Sequence, residues 1–165
     1  MKNTKGVNFL RPVFGAMLPL LSVNALDDRD KLARGKRIKF SDGEYFKTPL
    51  RPFWVAERDT DIAKIFIAYF SAVAAVWPNA WVSREPGDIL PRTNGFRALM
   101  RFFRLCYLKL RPEWDAGQPL ASKEDFAKIL RKIDLDDDSF NIENFPPGTS
   151  GEKRLFDRLR SGAKL

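Results

Sequence analysis

Apolar residues recur at steps of three and four along much of this chain, and the two strongest such runs lie side by side in its middle. In the first, Ile62, Phe66, Tyr69, Phe70, Val73 and Trp77 share one helical face. Asp59 or Thr60 can cap the start of this run, and Pro78 ends it because its ring removes an amide donor and clashes with the preceding turn. The second run separates its residues by face: Phe96, Leu99, Met100, Phe103, Tyr107 and Leu110 on one side, Arg97, Arg101 and Arg104 on the other. Thr93 or Asn94 can cap it, and Arg111-Pro112 closes it. Between the two runs lies a Pro-bounded segment, Pro78 to Pro91, long enough for the helices to pack antiparallel.

The flanks carry weaker patterns. Lys2, Lys5 and Arg11 precede an apolar stretch from Pro12 to Leu21, with Val23-Asn24-Ala25 beyond it. That is the outline of a secretory signal, but Pro12, Gly15 and Pro19 interrupt it, which favours a helix packed on the core. From Asp27 the chain turns charged, and Ser41-Asp42-Gly43 sits as a turn signal between short apolar pieces from Ile38 to Phe46, predicting a small β-hairpin near residues 36–48. Pro49, Pro52 and Phe53-Trp54 read as an extended segment lying on the domain surface or plugging its core.

Beyond Pro112, Ser122 stands three residues before Asp125 in a near capping box, followed by Phe126, Ile129, Leu130 and Ile133 at helical spacing. Leu155, Phe156 and Leu159 predict a short amphipathic helix after the loop of residues 145–151. The whole is expected to be a mainly α, single helical domain, with an N-terminal helix and basic, Pro-rich segment over 1–58 and a helical core over 59–165.

Composition narrows the chemistry. The 165 residues are enough for one proper core, and 44% hydrophobic residues argue against disorder. A net charge of +8 makes an anionic partner plausible. There is no histidine, which removes the commonest general base near neutral pH and the commonest metal ligand. The single cysteine, Cys106, precludes an intrachain disulfide or a Cys-rich zinc site, and its place beside the apolar helix face marks it as a buried thiol. Asp134, Asp136, Asp137 and Asp138 mimic a calcium loop, but Ser139 occupies the position of the required glycine and Phe145 that of the bidentate glutamate. Residues 148–153 lack the Gly-Lys-Ser/Thr order of a phosphate loop. No catalytic residue, metal or cofactor is predicted, and the run from Ile62 to Trp77, which contains Lys64, falls short of a membrane span.

The surface of greatest interest is the arginine stripe. Between Phe96 and Arg111 there are five basic residues and no acidic one. Arg97, Arg101 and Arg104, with Lys36, Arg37 and Lys39 as a second basic segment, are the candidate contacts to phosphate. Lys128, Arg131 and Lys132 would join them only if they shared that face.

The order of features from Ile62 to Leu159 resembles the C-terminal part of the DGQHR-domain proteins, a family similar to the regulators of DNA-phosphorothioation operons. The pieces that carry the resemblance are Trp77-Pro78 with Trp81, Ile89-Leu90, Thr93-Asn94-Gly95-Phe96, Trp114, Phe126, and Pro147 to Gly151 before Leu155. The family's Asp-Gly-Gln-His-Arg motif is absent, since the chain has no histidine, so no catalytic residue carries over. The resemblance implies a stand-alone or split C-terminal module linked to DNA modification or defence. Two functions follow as expectations: a non-enzymatic, cytoplasmic module that binds nucleic acid, with DNA foremost, or an interaction subunit that docks on a protein such as the missing half of a split DGQHR-like protein.

Overall fold

The computed structural model describes residues 5–165, with side chains from Val13 onward. Its helices are α1 (Lys5–Leu21), α2 (Ala25–Ala33), α3 (Arg51–Val55), α4 (Asp59–Val76), α5 (Pro78–Val82), α6 (Thr93–Leu110), α7 (Lys123–Leu130) and α8 (Thr149–Ala163). The fold is mainly helical, and among the described residues β pairing is limited to one isolated bridge between Asp88 and Asn141. No helix of the described residues is long and apolar enough to cross a membrane.

The two strong patterns form the centre. α4 and α6 run antiparallel: Phe66 meets Phe103 at 4.9 Å between ring centroids, Tyr69 donates to the Leu99 carbonyl at 2.8 Å, and Phe70 stacks on Phe96 at 5.7 Å. The Phe103 ring also meets Tyr69, Tyr107 and Phe126, so α7 closes the same core from the other side. The Tyr69 hydroxyl is fully buried, and its bond to a backbone carbonyl keeps that burial from costing an unsatisfied polar group.

α8 and α1 pack on α6. α8 delivers Leu155 and Leu159 into complete burial, and α1 delivers Leu20. Two glycines make close packing possible at the helix starts. A Cβ on Gly95 would lie 2.3 Å from the Ile89 carbonyl oxygen, and one on Gly151 would lie 1.6 Å from that of Pro146. Neither position has room for any other residue.

Several expected details come out differently. The segment near residues 36–48 is not a hairpin: Asp42–Glu44 forms a single 3-10 turn. Local i→i+3 bonds, such as Tyr45 N–H to the Asp42 carbonyl, take up the backbone, and the Lys39 carbonyl is claimed by the Arg51 side chain instead of a facing strand. Neither Asp59 nor Thr60 caps α4, whose N-cap is Arg58. Asp61 in the first turn accepts from the Arg58 side chain at 2.8 Å, while Asp59 adds a second carboxylate there. Likewise α6 begins after Arg92, and Thr93 and Asn94 lie inside its first turn. Pro78 ends α4 but also opens α5, a short helix inside the expected loop, since proline suits a first helical position. The Ser122–Asp125 capping box forms as predicted, and α1 runs unbroken through Pro12, Gly15 and Pro19.

One ion pair ties the N-terminal third together. Arg51 and Asp28 are 7% and 5% exposed, joined in a fork by Nη1 to Oδ2 at 2.6 Å and Nη2 to Oδ1 at 2.9 Å. Arg51 also donates to the carbonyls of Leu21 and Lys39, and Ser22 donates to Asp28. α1, α2, α3 and the extended segment before the 3-10 turn therefore meet at one guanidinium.

The hydrogen bond from Arg51 holds the Asp28 carboxyl below its ordinary pKa. A depressed carboxyl pKa adds stability above the unfolded-state value, and that stability is lost as pH falls through the folded one. Asp28→Asn leaves the buried guanidinium uncompensated and should cost about 3–5 kcal/mol in urea denaturation at neutral pH. The gap between variant and wild type should narrow below about pH 4. A gap that stays constant down to low pH would show that the pair contributes nothing through charge.

Candidate functional site

The helical period puts Arg97, Arg101, Arg104 and Leu108 on the side of α6 opposite Leu99, Phe103 and Cys106. On that side α1 and α8 flank α6 without closing over it. An open groove of about 1010 Å³ remains, lined by Gly15, Ala16, Pro19 and Leu20 of α1 and Thr149, Glu152 and Phe156 of α8, with Phe46 at its edge and Met100, Leu105 and Leu108 of α6 beside the arginines. Most of these residues are apolar. Pro19 has no amide to give the Gly15 carbonyl, so the α1 wall presents a backbone acceptor lacking its usual helical donor.

The three arginines differ in their commitments. Arg104 donates through Nε to the Phe46 carbonyl at 3.0 Å, with Nη2 on the same oxygen, which fixes the loop before α3 to α6. Tyr45 reinforces that attachment by donating to the Arg111 carbonyl at 3.0 Å, and its burial pushes the phenol pKa up to about 12, so it stays a donor at any ordinary pH. Arg101 lies 4.2 Å over the Phe156 ring and 3.4 Å from Glu152. Arg97 approaches Glu152 at 3.8 Å and makes no hydrogen bond among the described residues. None of the three pairs with the aspartates of residues 134–138.

Lys36, Arg37 and Lys39 are placed elsewhere. They line a separate cleft of about 420 Å³, interleaved with Asp27, Asp28 and Glu44, that shares no lining residue with the groove. The two basic segments expected to act together thus open onto different pockets. Lys128, Arg131 and Lys132 are exposed outside the groove, and Arg131, the C-cap of α7, pairs with Glu124 in the first turn of that helix at 2.7 Å. Trp54 is half-buried beside the Arg51 guanidinium, in a packing position.

Glu152 and Phe156 are functional-looking residues that periodicity does not reveal as neighbours of the arginine stripe. Their proximity depends on how α8 folds back onto α6. The sequence signal that exists is modest: Glu152 falls at the start of the predicted helix, and Phe156 is one of the apolar residues that predict it.

The remaining candidates are structural. Asp136 and Ser139 form a capping box around a 3-10 turn, and Asp137 accepts from the Ala80 amide at 2.7 Å, which anchors α5. No group of three or more His, Cys, Asp or Glu among the described residues is arranged to hold a metal. Cys106 is fully buried in the core, and desolvation drives its thiol pKa far above the ordinary range. The chain matches no family model, no curated protein and no solved structure.

A thiol so placed lacks both the thiolate character and the access that reactivity needs. Cys106 should therefore be silent to a disulfide-exchange reagent at pH 8 and titrate fully in denaturant. Rapid labelling of the native protein would contradict the packing around α6.

Proposed function

We propose that this chain is a non-enzymatic interaction module whose groove between α1, α6 and α8 docks an apolar-faced, acidic segment of a protein partner. The observation that carries the reading is the groove itself: an apolar trough lined, among the described residues, by three arginines against one glutamate. Arginine and aromatic residues are the types enriched at the centres of protein interfaces, and a net basic trough complements an acidic segment. The resemblance to the C-terminal part of DGQHR-domain proteins makes the N-terminal part of such a protein one candidate partner.

The nucleic-acid reading draws on the same arginines but is less well served by their surroundings. A phosphate backbone calls for an open basic track. Here Arg104 is tied to a backbone carbonyl, Glu152 sits between the other two arginines, and Lys36, Arg37 and Lys39 alternate with acids in a different cleft.

Fluorescence anisotropy distinguishes the two readings, using a labelled amphipathic peptide of leucine and glutamate as one probe and a short duplex DNA as the other. Leu105 is half-buried, lines the groove and stands outside the hydrophobic core cluster, so Leu105→Glu changes the trough while sparing the core. The peptide should bind, and this variant should weaken it by about tenfold or more. The reading fails if the peptide does not bind while DNA does, with a log–log salt slope that drops by about one for each of Arg97, Arg101 and Arg104 replaced by alanine.

A further inference from the structure

Among the described residues Glu152 is the one carboxylate lining the groove, and it contacts two cations. It reaches toward two guanidinium groups at once, Oε2 to Arg97 at 3.8 Å and Oε1 to Arg101 at 3.4 Å. Both distances exceed the roughly 2.7–2.9 Å of a committed charge-assisted hydrogen bond. Glu152 is 15% exposed, whereas the side chains of Arg97 and Arg101 are 50% and 46% exposed. The carboxylate is thus mostly covered, and the two cations it serves still face outward, with most of their N–H donors unpartnered among the described residues. Arg101 is held in place from below by the Phe156 ring, so its donors keep a fixed direction without Glu152.

Glu152 has an independent reason to remain where it is. It lies in the first turn of α8, where the helix dipole favours a negative charge. Because its position is secured by that helix, its loose contact with the arginines leaves them available to another carboxylate.

We infer that Glu152 stands in for a carboxylate of the docking partner: an Asp or Glu side chain of the bound segment is gripped between Arg97 and Arg101, with its apolar neighbours against Leu105, Leu108 and Phe156. This rests on the groove being a protein-docking site and specifies what it reads there. Arg97 and Arg101 set the preference for an acidic side chain. Glu152 sets the threshold, since any anion entering must share the two cations with a like charge already present, and that cost is greatest for a phosphate backbone carrying a charge on every unit.

The test measures the leucine–glutamate peptide and a leucine–glutamine peptide of the same length against the wild type, Glu152→Gln, the Arg97→Ala/Arg101→Ala double variant and Leu105→Glu, at low ionic strength. The wild type should prefer the glutamate peptide. Glu152→Gln should tighten that peptide by roughly five- to tenfold and leave the glutamine peptide unchanged. The double arginine variant should bind both peptides equally. The stand-in role is refuted if Glu152→Gln leaves the glutamate peptide's affinity unchanged or weaker while Leu105→Glu still impairs both peptides, a result under which the groove reading survives. Failure of both peptides to bind the wild type removes the groove reading as well. If Glu152→Gln tightens duplex DNA more than the glutamate peptide, phosphate is the ligand and the carboxylate assignment is wrong. A Glu152→Gln protein with a lowered unfolding midpoint would still leave the arginine arm, in which peptide discrimination that persists without Arg97 and Arg101 is decisive against the proposal.

Discussion

The charge on α6 governs the shape of this molecule. One side of that helix supplies the largest aromatic cluster of the core, and packing alone would let α1 and α8 close over the other side as they do over its flanks. They cannot, because Arg97, Arg101 and Arg104 occupy that side, and a guanidinium neither gives up its proton nor tolerates burial without a partner. The fold meets this constraint in two ways: Arg104 takes a backbone carbonyl, and the other two stay half-exposed beside a single glutamate. The groove is the space that results.

The walls of the groove depend on a second set of interactions, remote from the arginines. Among the described side chains of α1, Leu20 is buried and Ala16, Met17 and Leu21 pack half-buried against the core. The C-terminal end of α1 is also fixed by polar bonds. Leu50 donates its amide to the Leu20 carbonyl, and Arg51 joins the Leu21 carbonyl to Asp28 of α2. The same α3 start carries the loop whose Phe46 carbonyl receives Arg104. The buried ion pair and the exposed arginine stripe are thus two ends of one arrangement, in which α3 is anchored and α1 and the 45–47 loop are carried into place.

How much of this was legible in the sequence follows from the range of the interactions involved. Helical period alone identifies the core faces of α4, α6 and α7, because side chains three and four residues apart must share a face whatever surrounds them. The Ser122 capping box is equally local. The hairpin expectation failed for a local reason too: a Ser-Asp-Gly turn signal is compatible with a 3-10 turn as well as a hairpin, and what decides is whether the flanking carbonyls meet a strand or, as at Lys39, an arginine from twelve residues further on. Caps at Asp59 and Thr93 were misplaced by one or two residues, within the usual fraying of helix boundaries. The stripe at Arg97, Arg101 and Arg104 was readable as a surface but not as a groove. Its walls come from residues 15–20 and 149–156, and no periodicity encodes which helix will lie beside which.

That separation between what is local and what is long-range also orders the functional readings. Seen as a sequence, three arginines on one helix face with no acid within the helix suggest phosphate, since nothing nearby offsets them. Seen in the fold, the offset arrives from α8, and it is partial: one carboxylate for two guanidinium groups, at distances too long for a committed pair. A fully neutralised stripe would be structural, and a bare one would attract any polyanion. The intermediate condition, with an apolar trough alongside, is the feature on which the proposal of an acidic, amphipathic partner segment rests.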